Sequence, residues 1–341
     1  MTNPAAKIAV LGGGSFGTVI ANIAAQNGCD ARLWMRSEKQ LEDILETGMN
    51  SRYLPKYELH ENLLPTNDLA TAVHDCDVVF VAVPSKAFRV VLEDALKYMS
   101  PSAGLVSLTK GIEPHSFHLM SEIMREMAPK HPIAVISGPN LAKEIAQGQL
   151  TATVVASKSA ALRHQVHDVL GSPRFRVYAN PDIYGVELAG ALKNIYAIVS
   201  GMAGALGMGE NTRAMLMTRS LAEMSRFAVK MGANPLTFIG LAGMGDLIVT
   251  CTSPLSRNYR VGYAIGQGYS LKQAVKQLGE TAEGVNTLRM VKEKADELGI
   301  DMPLVNGLYE VVHNNQNVDL IADHLMLGER AQDVDFMFDQ E

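Results

Sequence analysis

Gly12-Gly13-Gly14-Ser15-Phe16-Gly17 stands between the apolar run Ile8 to Leu11 and the Ala-rich stretch Thr18 to Gln26. A G-x-G-x-x-G between strand and helix suits a dinucleotide pyrophosphate. Gly12 permits the tight turn, Gly14 lets backbone approach the phosphates, Gly17 lets the helix pack on the strand, and the helix-start N–H groups meet the anion. The same residues also fit G-x-S-x-G, with Ser15 as an esterase nucleophile. That motif needs strands upstream for an oxyanion hole, and only one run precedes this turn.

Lys193 carries the second argument. From Leu188 to Gly209 it is the only charge in an apolar, glycine-containing stretch, which reads as a buried helix rather than a membrane span. A buried ammonium costs several kcal/mol unless a partner compensates it or its pKa falls from ~10.4 toward the range useful for proton transfer. The alternative is a lysine that snorkels to the surface. Asp246, an acid inside the glycine-rich turn Gly243 to Leu247, is the natural partner.

Further groups could meet a phosphorylated ligand. The second strand ends Leu33-Trp34-Met35-Arg36-Ser37, without the acid that usually accepts a ribose 2′-hydroxyl. Arg36 in its place can grip a 2′-phosphate, which favours NADP over NAD; the alternative is an exposed loop arginine. Lys110, in Thr109-Lys110-Gly111, puts a cation at a strand end where open sheets bind ligands, or is simply solvated. Ser256-Arg257-Asn258 before a helix is either a phosphate clamp or an N-cap with a surface arginine. The Glu280 to Gly284 turn reads as capping. His115 with His118, and His164 with His167, lack a third metal ligand nearby, and Met215, Met217, Met224 and Met231 read as core filling. No metal site is expected.

These residues need a scaffold of about two domains, since the chain has 341 residues. Apolar residues at 47% exclude intrinsic disorder, and a net charge of -6 leaves no positive field for nucleic acid or anionic lipid. Three dispersed cysteines and an N-terminus without a leader pattern point to the cytoplasm. Strands are expected at Ile8 to Leu11, Arg32 to Met35, Val78 to Val83, Leu105 to Leu108 and Ile133 to Ile136. Ala152 to Ala156 and Phe175 to Tyr178 should extend the sheet in a direction the pattern leaves open. At Asn180-Pro181-Asp182, with Asn180 as a cap, the texture turns helical. Residues 1–180 thus form an α/β domain and 181–341 an all-helical one. Its helices are Asp182 to Ala205, Thr212 to Met231, Tyr259 to Gln267, Ser270 to Leu278, Val285 to Leu298, Pro303 to His313 and Val318 to Met326, before a frayed acidic tail at Gln332 to Glu341. Gly232 and Gly299 are placed as helix stops.

GGGSFGT at Gly12 to Thr18, LTKG at Leu108 to Gly111, SGPNLAKE at Ser137 to Glu144, ELAGALKN at Glu187 to Asn194, GLAGMGDL at Gly240 to Leu247 and SRN at Ser256 to Asn258 occur in that order. Together they resemble the bacterial-type NAD(P)-dependent glycerol-3-phosphate dehydrogenases over roughly Lys7 to Met326. The resemblance implies an N-terminal Rossmann-like doubly wound sheet, a helical C-terminal domain and an active site in the cleft between them. It also implies reversible reduction of dihydroxyacetone phosphate to sn-glycerol 3-phosphate, a phospholipid precursor. By matching motif, Lys193 resembles the proton-transfer residue, with Lys110 and Asp246 beside it. Ser256, Arg257, Asn258, Gly138 and Asn140 would hold substrate, and Ser15, Phe16, Arg36, Lys110, Ala142, Arg257, Thr281 and Glu283 the dinucleotide. Asn140 stands where the family more often has Ser or Thr, Ser220 where Gly is expected, and Thr281 where an aliphatic residue is expected. A hydroxy-acid or sugar-acid dehydrogenase could share this layout, and a non-catalytic NADP sensor would need no buried lysine. A homodimer is allowed but not required.

Overall fold

The computed structural model describes residues 5–114, 116–279 and 282–319, together with 322 and 326. The chain divides into two compact units, Met1–Glu187 and Leu188–Glu341.

Unit 1 is built from β1 (Lys7–Leu11), α1 (Ser15–Gln26), β2 (Asp30–Trp34), α2 (Glu38–Thr47), β3 (Leu63–Thr66), α3 (Leu69–Val73), β4 (Val78–Val81), α4 (Ser85–Leu96) and β5 (Gly104–Ser107). It continues through α5 (Met120–Met127), β6 (Ile133–Ser137), α6 (Ala142–Ala146), β7 (Thr151–Ala156), α7 (Ala160–Leu170) and β8 (Phe175–Asn180). The strands form one sheet in the order β3-β2-β1-β4-β5-β6-β7-β8. The first six run parallel; β7 is antiparallel to β6 and parallel to β8, the direction the sequence pattern left open. Ile8, Val10, Val78 and Phe80 on the central strands are fully buried, as strands covered on both faces require. Chain order reverses between β1 and β4, so the ligand crevice of an open sheet falls at the ends of these two strands.

β3 is not among the expected strands. It is four residues long, contains Pro65, leaves Leu64 half-exposed and pairs only with β2. A proline without an N–H is tolerated at such an edge, and it hides the strand from pattern reading.

Unit 2 comprises α8 (Ile183–Ala205, whose first turn belongs to unit 1), α9 (Glu210–Lys230), a 3-10 turn Pro235–Ile239 and a π-turn Leu241–Gly245. α10 (Asp246–Thr252), α11 (Arg257–Gly266), α12 (Leu271–Leu278), α13 (Glu283–Leu298) and α14 (Pro303–Asn314) follow. Among the described residues it holds no strand. The expected helix Val318 to Met326 lies largely outside the described residues, as does the acidic tail.

Asn180 is the last residue of β8, not the cap of α8. Its Oδ1 accepts the Asp182 N–H (2.8 Å), and Asp182 Oδ1 in turn accepts the Gly185 N–H (2.9 Å), so Asp182 caps α8. The division between units comes at Glu187, within α8, whose carboxylate accepts the Ser121 N–H of α5. Only Met224 of the methionine series is fully buried, while Met215 is exposed, so core filling describes one of the four. Ser220 is also buried, and its hydroxyl donates to the Leu216 carbonyl one turn back (2.6 Å), which satisfies it without an outside partner. Gly232 and Gly299 follow helix ends with positive φ, as placed.

Two features hold unit 2 around α8. A Cβ on Gly262 of α11 would collide with the Ile198 carbonyl, so these helices approach at backbone contact, where only glycine fits. Glu223, buried on α9, accepts the Tyr196 O–H of α8 (3.3 Å) and the Leu304 N–H at the start of α14 (2.7 Å).

Burial pushes the Glu223 carboxyl up to about 7, against the lowering by the α14 N–H groups and Arg226. The native state binds this proton more tightly than the unfolded chain, so the site destabilises the fold progressively as pH rises from about 4.5 to about 7. Glu223→Gln should remove that dependence. Measured by urea unfolding, its stability relative to the parent should rise by about 3 kcal/mol between about pH 5 and pH 8.

Candidate active site

The glycine turn lies at the topological switch point of unit 1. Gly12 has φ +128°, and a Cβ there would stand 2.6 Å from the Ala82 carbonyl just past β4. A Cβ on Gly17 would collide with the Gly12 carbonyl, so α1 packs directly on the turn. Gly14 faces open space and is the N-cap of α1 with no side-chain cap, leaving the first-turn N–H groups for an anion. Two residues absent from the sequence reading brace the turn. The Gly13 carbonyl accepts from Gln40 Nε2 (2.5 Å) and from Asn50 Nδ2 (2.9 Å), and Asn50 also donates to Thr18 Oγ1 (2.8 Å).

Ser15 Oγ donates to the Tyr53 carbonyl (3.3 Å), so nothing activates it as a nucleophile and the esterase reading falls. Phe16 and Ala142 pack against the core beneath the turn. Arg36 is exposed just past β2, next to Ser37, which caps α2, and it forms no ion pair among the described residues. Past β5 and β6, Lys110 Nζ donates to the Gly138 carbonyl (3.0 Å). Asn140 Nδ2 donates to Thr153 Oγ1 (2.8 Å), while its buried Oδ1 has no hydrogen-bond partner among the described residues. The dinucleotide half thus offers uncapped helix-start amides, open space at Gly14 and a cation at the second strand's end, a set that fits a bound nicotinamide dinucleotide.

In unit 2 the expected pair is present. Lys193, 6% exposed, donates to Asp246 Oδ1, and Asp246 is 1% exposed. Thr250 Oγ1 also accepts from Lys193 Nζ (2.7 Å) and donates to the Asp246 backbone carbonyl (2.6 Å). Asp246 and Thr250 are one turn apart on α10, so one helix face presents both acceptors to the ammonium. That i,i+4 spacing was readable in the sequence, but Thr250 was not singled out. The snorkelling alternative is excluded by the burial of the ammonium.

The Ser256-Arg257-Asn258 segment divides its labour. Ser256 Oγ is the N-cap of α11 and accepts the Tyr259 N–H (3.3 Å). Arg257 is exposed at the first position of α11. Asn258 is 7% exposed and engaged at both ends of its amide, donating to Asn194 Oδ1 (2.9 Å) and accepting the Gly284 N–H (3.0 Å). Of the Glu280 to Gly284 turn, Glu280 lies outside the described residues; the N-cap of α13, Ala282, makes no side-chain cap hydrogen bond, and Asn258 Oδ1 accepts the Gly284 N–H. Glu283 is half-buried at the first position of α13, and Thr281 lies outside the described residues. No group of metal-ligating side chains occurs among the described residues.

Two family models match the chain, the NAD-dependent glycerol-3-phosphate dehydrogenase N-terminus over residues 7–163 and its C-terminus over residues 182–323. Glycerol-3-phosphate dehydrogenase (NAD(P)+) of Pseudomonas entomophila is 56% identical over 330 residues, covering 97% of this chain and 96% of that protein. The namesake of Pseudomonas paraeruginosa is 57% identical over 97% of both chains. The crystal structure of glycerol-3-phosphate dehydrogenase from Coxiella burnetii superposes with a TM-score of 0.91 at 36% identity, covering 95% of this chain and 99% of that one. With both halves matched and the buried lysine in place, this chain belongs to the NAD-dependent glycerol-3-phosphate dehydrogenase family.

Proposed function

We propose that this enzyme reversibly reduces dihydroxyacetone phosphate to sn-glycerol 3-phosphate, with Lys193 moving the proton. The observation that carries the reading is a lysine ammonium buried against Asp246 and Thr250. The substrate follows from the names of relatives aligned over nearly the whole chain.

The bound nicotinamide supplies or takes the hydride. In ketone reduction the Lys193 ammonium delivers a proton to the developing alkoxide, and in the reverse direction the neutral amine takes it back. Asp246 and Thr250 aim the amine and compensate its charge, so little reorganisation is needed as charge develops. Arg257, exposed at the start of α11, would hold the phosphate, with Ser256 acting chiefly as the cap that opens this helix. Binding energy gained at the phosphate, remote from the reacting carbon, fixes the ketone's orientation. The orphaned Asn140 oxygen would accept from a ligand N–H or O–H, and Lys110 would add a second cation. Asn258 would act indirectly, joining Asn194 beside the lysine to the start of α13, where Glu283 is assigned to the cofactor.

Exposed Arg36 in place of an acid favours NADPH over NADH. Three free, buried cysteines suit a reducing compartment, the cytoplasm, where the product would feed glycerophospholipid synthesis. No helix among the described residues is long and apolar enough to cross a membrane.

Purified protein should oxidise NADPH with dihydroxyacetone phosphate, and kcat/KM should fall by at least about 100-fold with unphosphorylated dihydroxyacetone. Equal rates with the two ketones would remove the phosphate site; no oxidation with either would remove the function. Lys193→Met should lower kcat by about 10²- to 10⁴-fold, whereas a cofactor sensor would keep its biological effect without the amine. Arg36→Ala should raise KM for NADPH about tenfold and leave that for NADH within about twofold. Asp246→Ala should cost about 3–5 kcal/mol in urea unfolding at neutral pH, and the double change Lys193→Met with Asp246→Leu should recover most of it.

A further inference from the structure

Glu187 is buried at 3% exposure on α8, at the residue where unit 1 ends. Both of its oxygens accept the Ser121 N–H, at 3.0 and 3.3 Å. Ser121 is the second residue of α5, so the carboxylate sits on the positive end of that helix. Glu122 serves a different donor there, the Leu119 N–H (2.8 Å). The charged and titratable groups around Glu187 are Glu122 and Arg125 of α5 and, on α8, Tyr184, whose phenol is pushed up to about 12 by burial first and then by Glu122 and Glu187.

An acid is an expensive acceptor in such a place. A neutral amide could take the same N–H without carrying a charge into the interior. The difference between the two is that the acid can change its bond with pH. α8 then continues unbroken to Lys193 and beyond. We propose that Glu187 is a positioning residue for the reaction, whose bond to the start of α5 fixes the first turn of α8 and so the rotation and height of the Lys193 carried by the same helix. The proposal rests on the reading of Lys193 as the proton-transfer group.

Burial pushes the Glu187 carboxyl up to about 7, so it changes charge near neutrality. Ionised, both oxygens accept the Ser121 N–H. Protonated, the carboxyl keeps a single uncharged oxygen to accept that N–H, the charge-assisted bond is lost, and the hold on α8 weakens. A small rotation at the first turn is carried along the helix, and a displacement of ~1 Å at a reacting group costs on the order of 100-fold in rate. Reduction by the holoenzyme should therefore slow as pH falls through the Glu187 titration.

The test is steady-state NADPH oxidation with dihydroxyacetone phosphate between about pH 5.5 and 8.5 for the parent, Glu187→Gln and Glu187→Ala, with thermal unfolding of each. The parent should lose kcat below about pH 7, while Glu187→Gln, which like the protonated acid offers one uncharged accepting oxygen, should run near the parent's low-pH rate at every pH and so lack that limb. Glu187→Ala should lose about tenfold or more in kcat at every pH, with KM for NADPH within about twofold. An active parent whose acid limb persists unchanged in Glu187→Gln overturns the positioning role while leaving the dehydrogenase reading intact. If Glu187→Ala does not fold, the Gln profile decides alone. A parent without ketone-dependent oxidation fails the functional reading instead.

Discussion

An ammonium inside an apolar helix is the constraint around which unit 2 is arranged. α8 is buried over most of its length, with Leu188, Ala191, Leu192, Ile195 and Tyr196 fully covered and Lys193 itself nearly so. Left alone it would cost several kcal/mol, and the remedy is a carboxylate brought to the same place. The chain supplies it from the start of α10, after a 3-10 turn and a π-turn whose Gly243 lies against the Phe238 backbone too closely for any side chain. The unusual winding there has a physical purpose: it delivers Asp246 and, one turn on, Thr250 to one nitrogen.

What could be read from the sequence followed from how local each signal was. The glycine turn, Lys193 and its pairing with Asp246 were legible because each violates its surroundings: three glycines between strand and helix, one charge in an apolar run, one acid among glycines. Asn50 and Gln40 were not, because their service to Gly13 joins distant segments and leaves no pattern in either. β3 failed for the opposite reason: Pro65 is a local signal against a strand, overridden by the edge position. Asn258 was recognised as important, but its amide holds Asn194 and the start of α13, a buried joint that the Ser256-Arg257-Asn258 motif does not announce.

Three buried acids have been accommodated in two ways. Asp246 meets a formal positive charge. Glu187 and Glu223 each meet backbone N–H groups at the start of a neighbouring helix, α5 and α14, where partial charges compensate incompletely and burial prevails, raising both to about 7. Glu223 also holds Tyr196, three residues from Lys193, so both glutamates act on the helix that bears the amine.

The cations divide along the same line. Arg36 and Arg257 are exposed, whereas Lys193 is covered. A group that binds a phosphate must exchange water for ligand at each turnover, and a surface guanidinium can do so at little desolvation cost. A group that gives a proton to a developing alkoxide gains from the reverse arrangement, since a dry setting strengthens its field and its fixed partners leave little to reorganise. With a net charge of -6 the molecule as a whole repels its anionic ligands. On the proposed reading, recognition is then left to local cations, and the energy gained at the substrate phosphate orients the ketone for the covered amine of Lys193.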